Sequence, residues 1–461
     1  MRRLVILLCA AALGGCTLEP AYVRPMPAAP TTWPVGAAYP QVQAAASPSL
    51  TYVEVFRDPR LKALIDRSLT ANQDLAAALA NVEIARAQYR VQRAEELPHL
   101  NATASASEDR ARGDTTRDHQ AGLELPAFQL DLFGRLRSLS HAAQEAYLAS
   151  DAGARMARLT LVGDVADAWL TLAADRSLLS VADDTEASAR RTVDLTQVRL
   201  SGGVAPRSDL SQAQTVLDQA LADQAQLTSQ VAQDRNALQL LVGGPVADAE
   251  LPASIEGLDA SLAEVPAGLD SHILLGRPDV EEAEHRLKAS FAEIGAARAA
   301  FFPTINLTAL AGVASPELGA LFSGGTLAWQ GQAAASLPLF AGGANAGGLA
   351  LAKGERDLAV AQYQKAIQAA FRDVADALAR RGTIDRQLAA QASLEAAANE
   401  SYTLSLARYR EGVDPYLSTL DAQRTLYAAR RALAATRLAQ AQNLVALYES
   451  LGGDPLVRSA S

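Results

Sequence analysis

The sequence predicts a mostly α chain that also carries four membrane β-strands, arranged as two tandem repeats. Three observations carry that fold class. Matching motifs recur at a constant separation. Two proline-free stretches have helical periodicity. Four short segments alternate strictly between apolar and polar residues.

The first element is a leader. Met1-Arg2-Arg3 precedes an apolar run from Leu4 to Leu13, the pattern of a secretory signal peptide over residues 1–15. Leu13-Gly14-Gly15-Cys16 resembles the bacterial lipobox. That resemblance implies a mature chain beginning at Cys16, with diacylglycerol on its thiol and an acyl group on its amine. Thr17 follows, where an Asp would argue for inner-membrane retention, so sorting to the outer membrane is allowed. Seven prolines between Pro20 and Pro48, with little charge, predict an extended tether over 16–54.

Composition narrows the function classes. With 51 acidic against 41 basic residues the net charge is −10, the wrong sign for a nucleic-acid footprint. Two cysteines, Cys9 and Cys16, exclude a disulfide framework, and the five histidines have no metal-ligand spacing. No cofactor is expected beyond the acyl groups on Cys16. Gly342-Gly343 with Gly347-Gly348 lacks the Lys-Ser/Thr ending of a phosphate loop, and no catalytic constellation is present, so no enzyme is expected.

From residue 55 the features occur twice, giving a first repeat over 55–250 and a second over 251–461. Arg199-Leu200-Ser201-Gly202-Gly203-Val204-Ala205-Pro206 answers Arg408-Tyr409-Arg410-Glu411-Gly412-Val413-Asp414-Pro415, 209 positions on (412 − 203). Ala213-Gln214 answers Ala422-Gln423 at the same offset. About Leu136–Leu200 and Ala346–Glu411 are read as helices, each roughly 95 Å long at 1.5 Å per residue. Shorter long helices are expected at 207–242 and 416–451. In the former, Leu210, Leu217, Val231 and Leu238 lie on a seven-residue repeat interrupted at Gln224, the pattern of a supercoiled pair.

The strands distinguish this chain from a soluble coiled-coil rod. Leu100, Ala102, Ala104 and Ala106 alternate with Asn101, Thr103, Ser105 and Ser107. Ala121, Leu123 and Leu125 alternate with Gln120, Gly122 and Glu124. The second repeat sets Ile305, Leu307, Ala309 against Thr304, Asn306, Thr308, and Trp329, Ala333 against Gln330, Gln332. Period two over about ten residues is the pattern of a transmembrane strand with one lipid face. The hairpins are placed at about 98–128 and 303–338, joined by outward loops at 108–118 and 314–326. Four strands cannot enclose a water-filled lumen, so closure needs cyclic oligomerisation. Three copies give twelve strands, and other cyclic numbers remain open.

The lipobox, the duplicated hairpin-and-helix half, and the run Tyr409-Arg410-Glu411-Gly412-Val413-Asp414-Pro415-Tyr416-Leu417-Ser418-Thr419-Leu420-Asp421-Ala422-Gln423 resemble the TolC family. Within it the chain resembles the lipoprotein branch of OprM- and NodT-like proteins. The resemblance implies a homotrimer with a 12-stranded barrel in the outer membrane and an α-helical barrel in the periplasm. It implies an exit duct of a tripartite efflux pump, partnered by a periplasmic adaptor and an inner-membrane proton-driven transporter of the RND type. A duct for type I protein secretion keeps the same fold, and a non-channel periplasmic coiled-coil lipoprotein is the other rival. By the same resemblance Asp209, Leu417 and Asp421 line a periplasmic gate, while Tyr409 and Arg410 help to latch it. Asp209 is equally placed to meet a helix dipole, whereas for Asp421 the gate reading is taken ahead of a solvated face. Gly203 and Gly412 supply the helix-to-helix turns. Asp414 departs from the family pattern, since some relatives carry a basic residue there.

Overall fold

The computed structural model describes residues 17–27, 29–39, 51–111, 113–258 and 271–452. The expected leader and Cys16 lie outside the described residues, as does the end of the tether at 40–50.

The first helices are set by short polar caps. Thr51 and Glu54 form a capping box on α1 (Tyr52–Val55), three residues inside the segment expected to be extended. Asp58 accepts from the Arg60 N–H at 2.8 Å, and Pro59 opens α2 (Pro59–Ala71), where its missing N–H costs nothing. Asn72 ends α2, and its carboxamide oxygen takes the Leu75 N–H, opening α3 (Gln73–Ala94).

Four strands follow in two hairpins, β1 (Asn101–Ala111) with β2 (Asp114–Leu130) and β3 (Thr304–Ser315) with β4 (Leu327–Ser336). They form one antiparallel sheet in the order β1-β2-β3-β4. The first outward loop is a correction. Residues expected to be loop at 108–118 are mostly strand, with Glu108 opposite Arg117 and Arg110 opposite Thr115. Charged and Thr side chains tolerate a strand when the ladder bonds its backbone and an ion pair (Arg117–Glu108, 3.2 Å) joins opposed residues. The second loop does hold irregular structure, with a single 3-10 turn at Leu318–Ala320.

Register keeps the two faces separate across all four strands. Ala311 lies opposite Leu123 and Trp329, and Leu307 opposite Phe128 and Ala333. On the other face Asn306 meets Gln129. Pro126 cannot donate to a ladder, and a bulge falls there, between Leu125 and Phe128. The extra residue shifts the parity, so Phe128 and Leu130 rejoin the face of Leu123 and Leu125. Gly122 and Gly312 oppose each other, and a Cβ on either would collide with the facing backbone.

The remaining helices are α4 (Arg135–Ser201), α5 (Arg207–Val242), α6 (Pro278–Ala299), α7 (Ala344–Arg410) and α8 (Tyr416–Ser450). The order helix, hairpin, 67-residue helix, helix of 36 or 35 residues therefore occurs twice. Among the described residues no helix is long and apolar enough to cross a membrane.

The described residues fall into two compact units, within Met1–Pro27, Ala80–Ala152, Glu281–Ala366 and within Ala28–Leu79, Gly153–Val280, Ile367–Ser461. In the first, the extended segment is held by specific contacts. Arg24 forks onto Glu284 at 2.8 and 2.7 Å, Tyr22 meets Phe291 edge-on, and Arg298 donates to the Leu18 carbonyl. Burial would raise the Glu284 pKa, but the Arg24 hydrogen bonds and Lys288 hold it below the usual carboxylate range.

The second unit has an apolar core around Phe56, Leu61, Ile65, Val165, Trp169 and Tyr448. The Trp169 indole N–H donates to the Glu250 carbonyl at 3.2 Å, so the ring is buried without an orphaned donor. Glu449 stands beside Asp167 and Asp164. Burial, with those two charges added, pushes its carboxyl up to about 8. Asp167 is pushed up to about 6 by burial and by Asp164.

Candidate functional site: the helical tips

The second unit contains two helix-to-helix turns of matching geometry. At the first, the Val204 N–H bonds back to the Arg199 carbonyl at 2.9 Å and the Gly203 N–H to Leu200. At the second, Val413 N–H bonds to Arg408 at 2.9 Å and Gly412 N–H to Tyr409. This is a Schellman ending, which needs a left-handed residue, and Gly203 (φ +74°) and Gly412 (φ +77°) provide it. Pro206 and Pro415 then precede α5 and α8 and set the entry to each helix.

The two tips are joined through Tyr409, which is 2% exposed. Arg199 donates to its backbone carbonyl at 2.7 Å and lies 4.7 Å from its ring centroid. The Thr196 and Tyr409 hydroxyls are 3.1 Å apart. Tyr409 and Tyr416 rings lie 5.4 Å apart and pack with Ala213 and Leu420 in one apolar cluster. Burial raises the Tyr416 pKa, with smaller contributions from Tyr402, Tyr409 and Asp209.

Comparison with known proteins places this arrangement. Residues 64–244 and 269–453 match the family described as Outer membrane efflux protein. The chain belongs to that family. It is 44% identical over 452 residues, covering 96% of this chain and 93% of the relative, to the "Probable efflux pump outer membrane protein TtgC" of Pseudomonas putida. It is 40% identical over 455 residues, 97% of this chain and 95% of the relative, to "Outer membrane protein OprJ" of Pseudomonas aeruginosa. Among solved structures, the open state of the Neisseria gonorrhoeae MtrE outer membrane channel superposes with a TM-score of 0.85. That match has 36% identity and covers 95% of this chain and 98% of that one. As an outer membrane efflux protein the chain resides in the Gram-negative outer membrane and acts as an efflux duct.

In this outer membrane efflux protein the expected gate residues sit where α8 and α5 leave the tips. Leu417 is 55% exposed, and Asp421, four residues on, is exposed on the same side of α8. Tyr416, Thr419, Leu420 and Gln423 occupy the buried side. Asp209 is half-buried in the first turn of α5, where its charge reaches the Tyr416 hydroxyl. Of the two expected latch residues, Tyr409 is at the centre of the contacts between tips. Arg410 is exposed and makes no ion pair among the described residues.

Sequence reasoning missed Arg199, Thr196 and Arg408. Arg408 pairs with Asp414 at 2.6 and 3.0 Å, and those hydrogen bonds hold the Asp414 carboxyl below its usual range. The signal was present in the repeat. Arg199 and Arg408 occupy matching places in the two turns, and that recurrence marks both positions.

Proposed function

We propose that this chain is the outer-membrane exit duct of a tripartite efflux pump and works as a homotrimer. The observation that carries this reading is the sheet, which has one apolar face and two unpaired edges, β1 and β4. In hydrocarbon an open edge leaves backbone donors and acceptors without partners, so β1 of one copy must pair with β4 of the next. Closure by three copies makes twelve strands, an even number within the range of such barrels. The repeated element order is accounted for by tandem duplication of one hairpin-and-helix half.

In the trimer Leu417, Asp421 and Asp209 would each form a ring, apolar in one case and acidic in two. Acidic rings favour cations and an apolar ring narrows the passage. Tyr409, gripped by Arg199, would latch the closed state, with Arg410 at its exposed rim. A periplasmic adaptor and an inner-membrane proton-driven transporter would supply the cargo, and acyl groups on Cys16 would add a second membrane anchor. TtgC carries the words efflux pump in its name, which supports the pump reading.

Cysteines introduced in pairs, one on β1 and one on β4, test the closure. One register should give disulfide-linked trimers in outer-membrane fractions, dissociating on reduction and heating. Cross-links that stop at dimers, or none in any register, would refute the trimeric barrel.

A further inference from the structure

The extended segment that follows Cys16 runs as a strap against α4 and α6. A Cβ on Gly134 would stand 3.0 Å from the Thr17 Cα, and one on Gly295 would stand 2.9 Å from the Glu19 Cα. These two glycines let the strap backbone approach the helices closely, and Arg298 holds the Leu18 carbonyl at 3.0 Å. Farther along, Tyr22 and Arg24 fix the strap to Glu284. That end keeps its charges near neutral pH. The bond to Glu284 raises the Arg24 pKa, burial raises that of Tyr22, and Arg24 overcomes burial to keep Glu284 ionised. The end nearer Cys16 is held by an imidazole. His141 Nδ1 stands 2.9 and 3.1 Å from the two Glu19 carboxylate oxygens, and its Nε2 stands 3.5 Å from Glu145 Oε1. The other Glu145 oxygen lies 2.6 Å from His285 Nδ1.

An ionised carboxylate only accepts, whereas a neutral imidazole donates from one nitrogen and turns a lone pair outward at the other. In either tautomer a neutral His141 therefore sets a lone pair against Glu19 or Glu145. Only the imidazolium donates to both. We propose that His141 is a pH-sensitive clasp on the strap: its protonated ring ties Glu19 to Glu145, and its neutral ring lets residues 17–21 loosen. Imidazole is the side chain that ordinarily changes charge between about pH 5 and 8. The charged groups set against the ring are Glu19 on the strap and Glu145 on α4, with His285 and Lys288 of α6 acting on Glu145 from beyond. α3 meets the preceding turn through the neutral Gln92 carbonyl, which accepts from the Ser140 hydroxyl. Burial would raise the Glu145 pKa, but the His285 hydrogen bond holds it below the usual carboxylate range, so its charge persists while imidazole titrates. The hold on residues 17–21 is therefore strongest in acid and weakens as pH rises, because the charge-assisted bonds are lost with the proton. The Glu284 end stays fixed throughout. The assignment stands on contacts within one chain and does not depend on the trimeric duct.

The test uses the detergent-solubilised full-length protein carrying a nitroxide at Ala21→Cys or, in a second sample, at Val23→Cys, both exposed positions. Protein without an introduced cysteine, treated in the same way, corrects for any label on Cys16. Electron paramagnetic resonance should show the mobile fraction at position 21 rising about threefold or more between about pH 5.5 and 8.5, with position 23 unchanged. His141→Lys, which keeps its charge over that range, should hold position 21 at both pH values. His141→Gln, which donates without a charge, should leave it mobile at both. Glu19→Gln should do the same without altering α4, so a folding defect in the His141 variants does not decide the matter. His285→Gln should retain the response. Constant mobility at position 21 in the otherwise unaltered chain, or an equal rise at position 23, would overturn the proposal. A pH response that survives both His141→Gln and Glu19→Gln, or one abolished by His285→Gln alone, would overturn it as well.

Discussion

Arg199 and Arg408 stand 209 residues apart (408 − 199) in matching turns, yet they hold different partners. Six residues after Arg408 comes Asp414, which captures its guanidinium. Six residues after Arg199 comes Ala205, so Arg199 is free to cross to the Tyr409 carbonyl. One Ala-to-Asp difference thus decides which turn grips the other. The exposed residues beyond Gly412 bear on permeation. Leu417→Ala combined with Asp421→Ala should raise single-channel conductance in planar bilayers and weaken cation preference. Unchanged conductance would place the constriction elsewhere, with Asp209 the next candidate. Glu449 gives a pH dependence. Its folded pKa, about 8, exceeds the ordinary value of 4.5, so between those limits the folded chain binds more protons. Stability therefore falls as pH rises through that window. Glu449→Gln should raise the unfolding free energy more at pH 8 than at pH 5, by about 1–3 kcal/mol at the higher pH. Equal shifts at both values would show that Glu449 titrates normally.

At the scale of elements the sheet is the most constrained part. Strand side chains have a period of two, so a slip of one residue would invert every face. The bulge at Pro126 is the single place where that parity changes among the described pairings of β2 with β3, and it changes so as to keep Phe128 with Leu307. Leu307→Arg should therefore weaken membrane insertion by roughly 2–4 kcal/mol near the midplane. Asn306→Arg, on the opposite face, should insert normally. Folding assays into lipid vesicles would separate the two, and identical behaviour would mean that the apolar face does not meet lipid.

The whole molecule combines a sheet with open edges and helices with no membrane-crossing stretch among the described residues. In the proposed barrel the strands make the insertion, and lipid on Cys16 would serve as an additional tether. Mass spectrometry of the mature N-terminus should find Cys16 acylated. Cys16→Ala should still give trimers in the outer membrane, because the strands carry the insertion. An unmodified Cys16, or loss of trimers in that variant, would contradict this division of labour.

Much of this was legible in the sequence because it is written in local periodicity. Prolines bound the long helices, so α5 was expected at 207–242 and is found there, and α7 differs from expectation by one or two residues. The alternating strands were equally plain, as were Gly203 and Gly412, since a left-handed turn leaves few residue choices. The hairpin at 108–118 was hidden, because its Glu, Asp, Arg and Thr residues have turn-like composition and only the cross-strand ladder makes them strand. Arg199 reaching Tyr409 and Glu449 among carboxylates were hidden too, because each depends on residues hundreds of positions away. Composition and period determine which segments are helix or strand. Which buried polar groups find partners, and which are left without one, is decided only when distant segments pack.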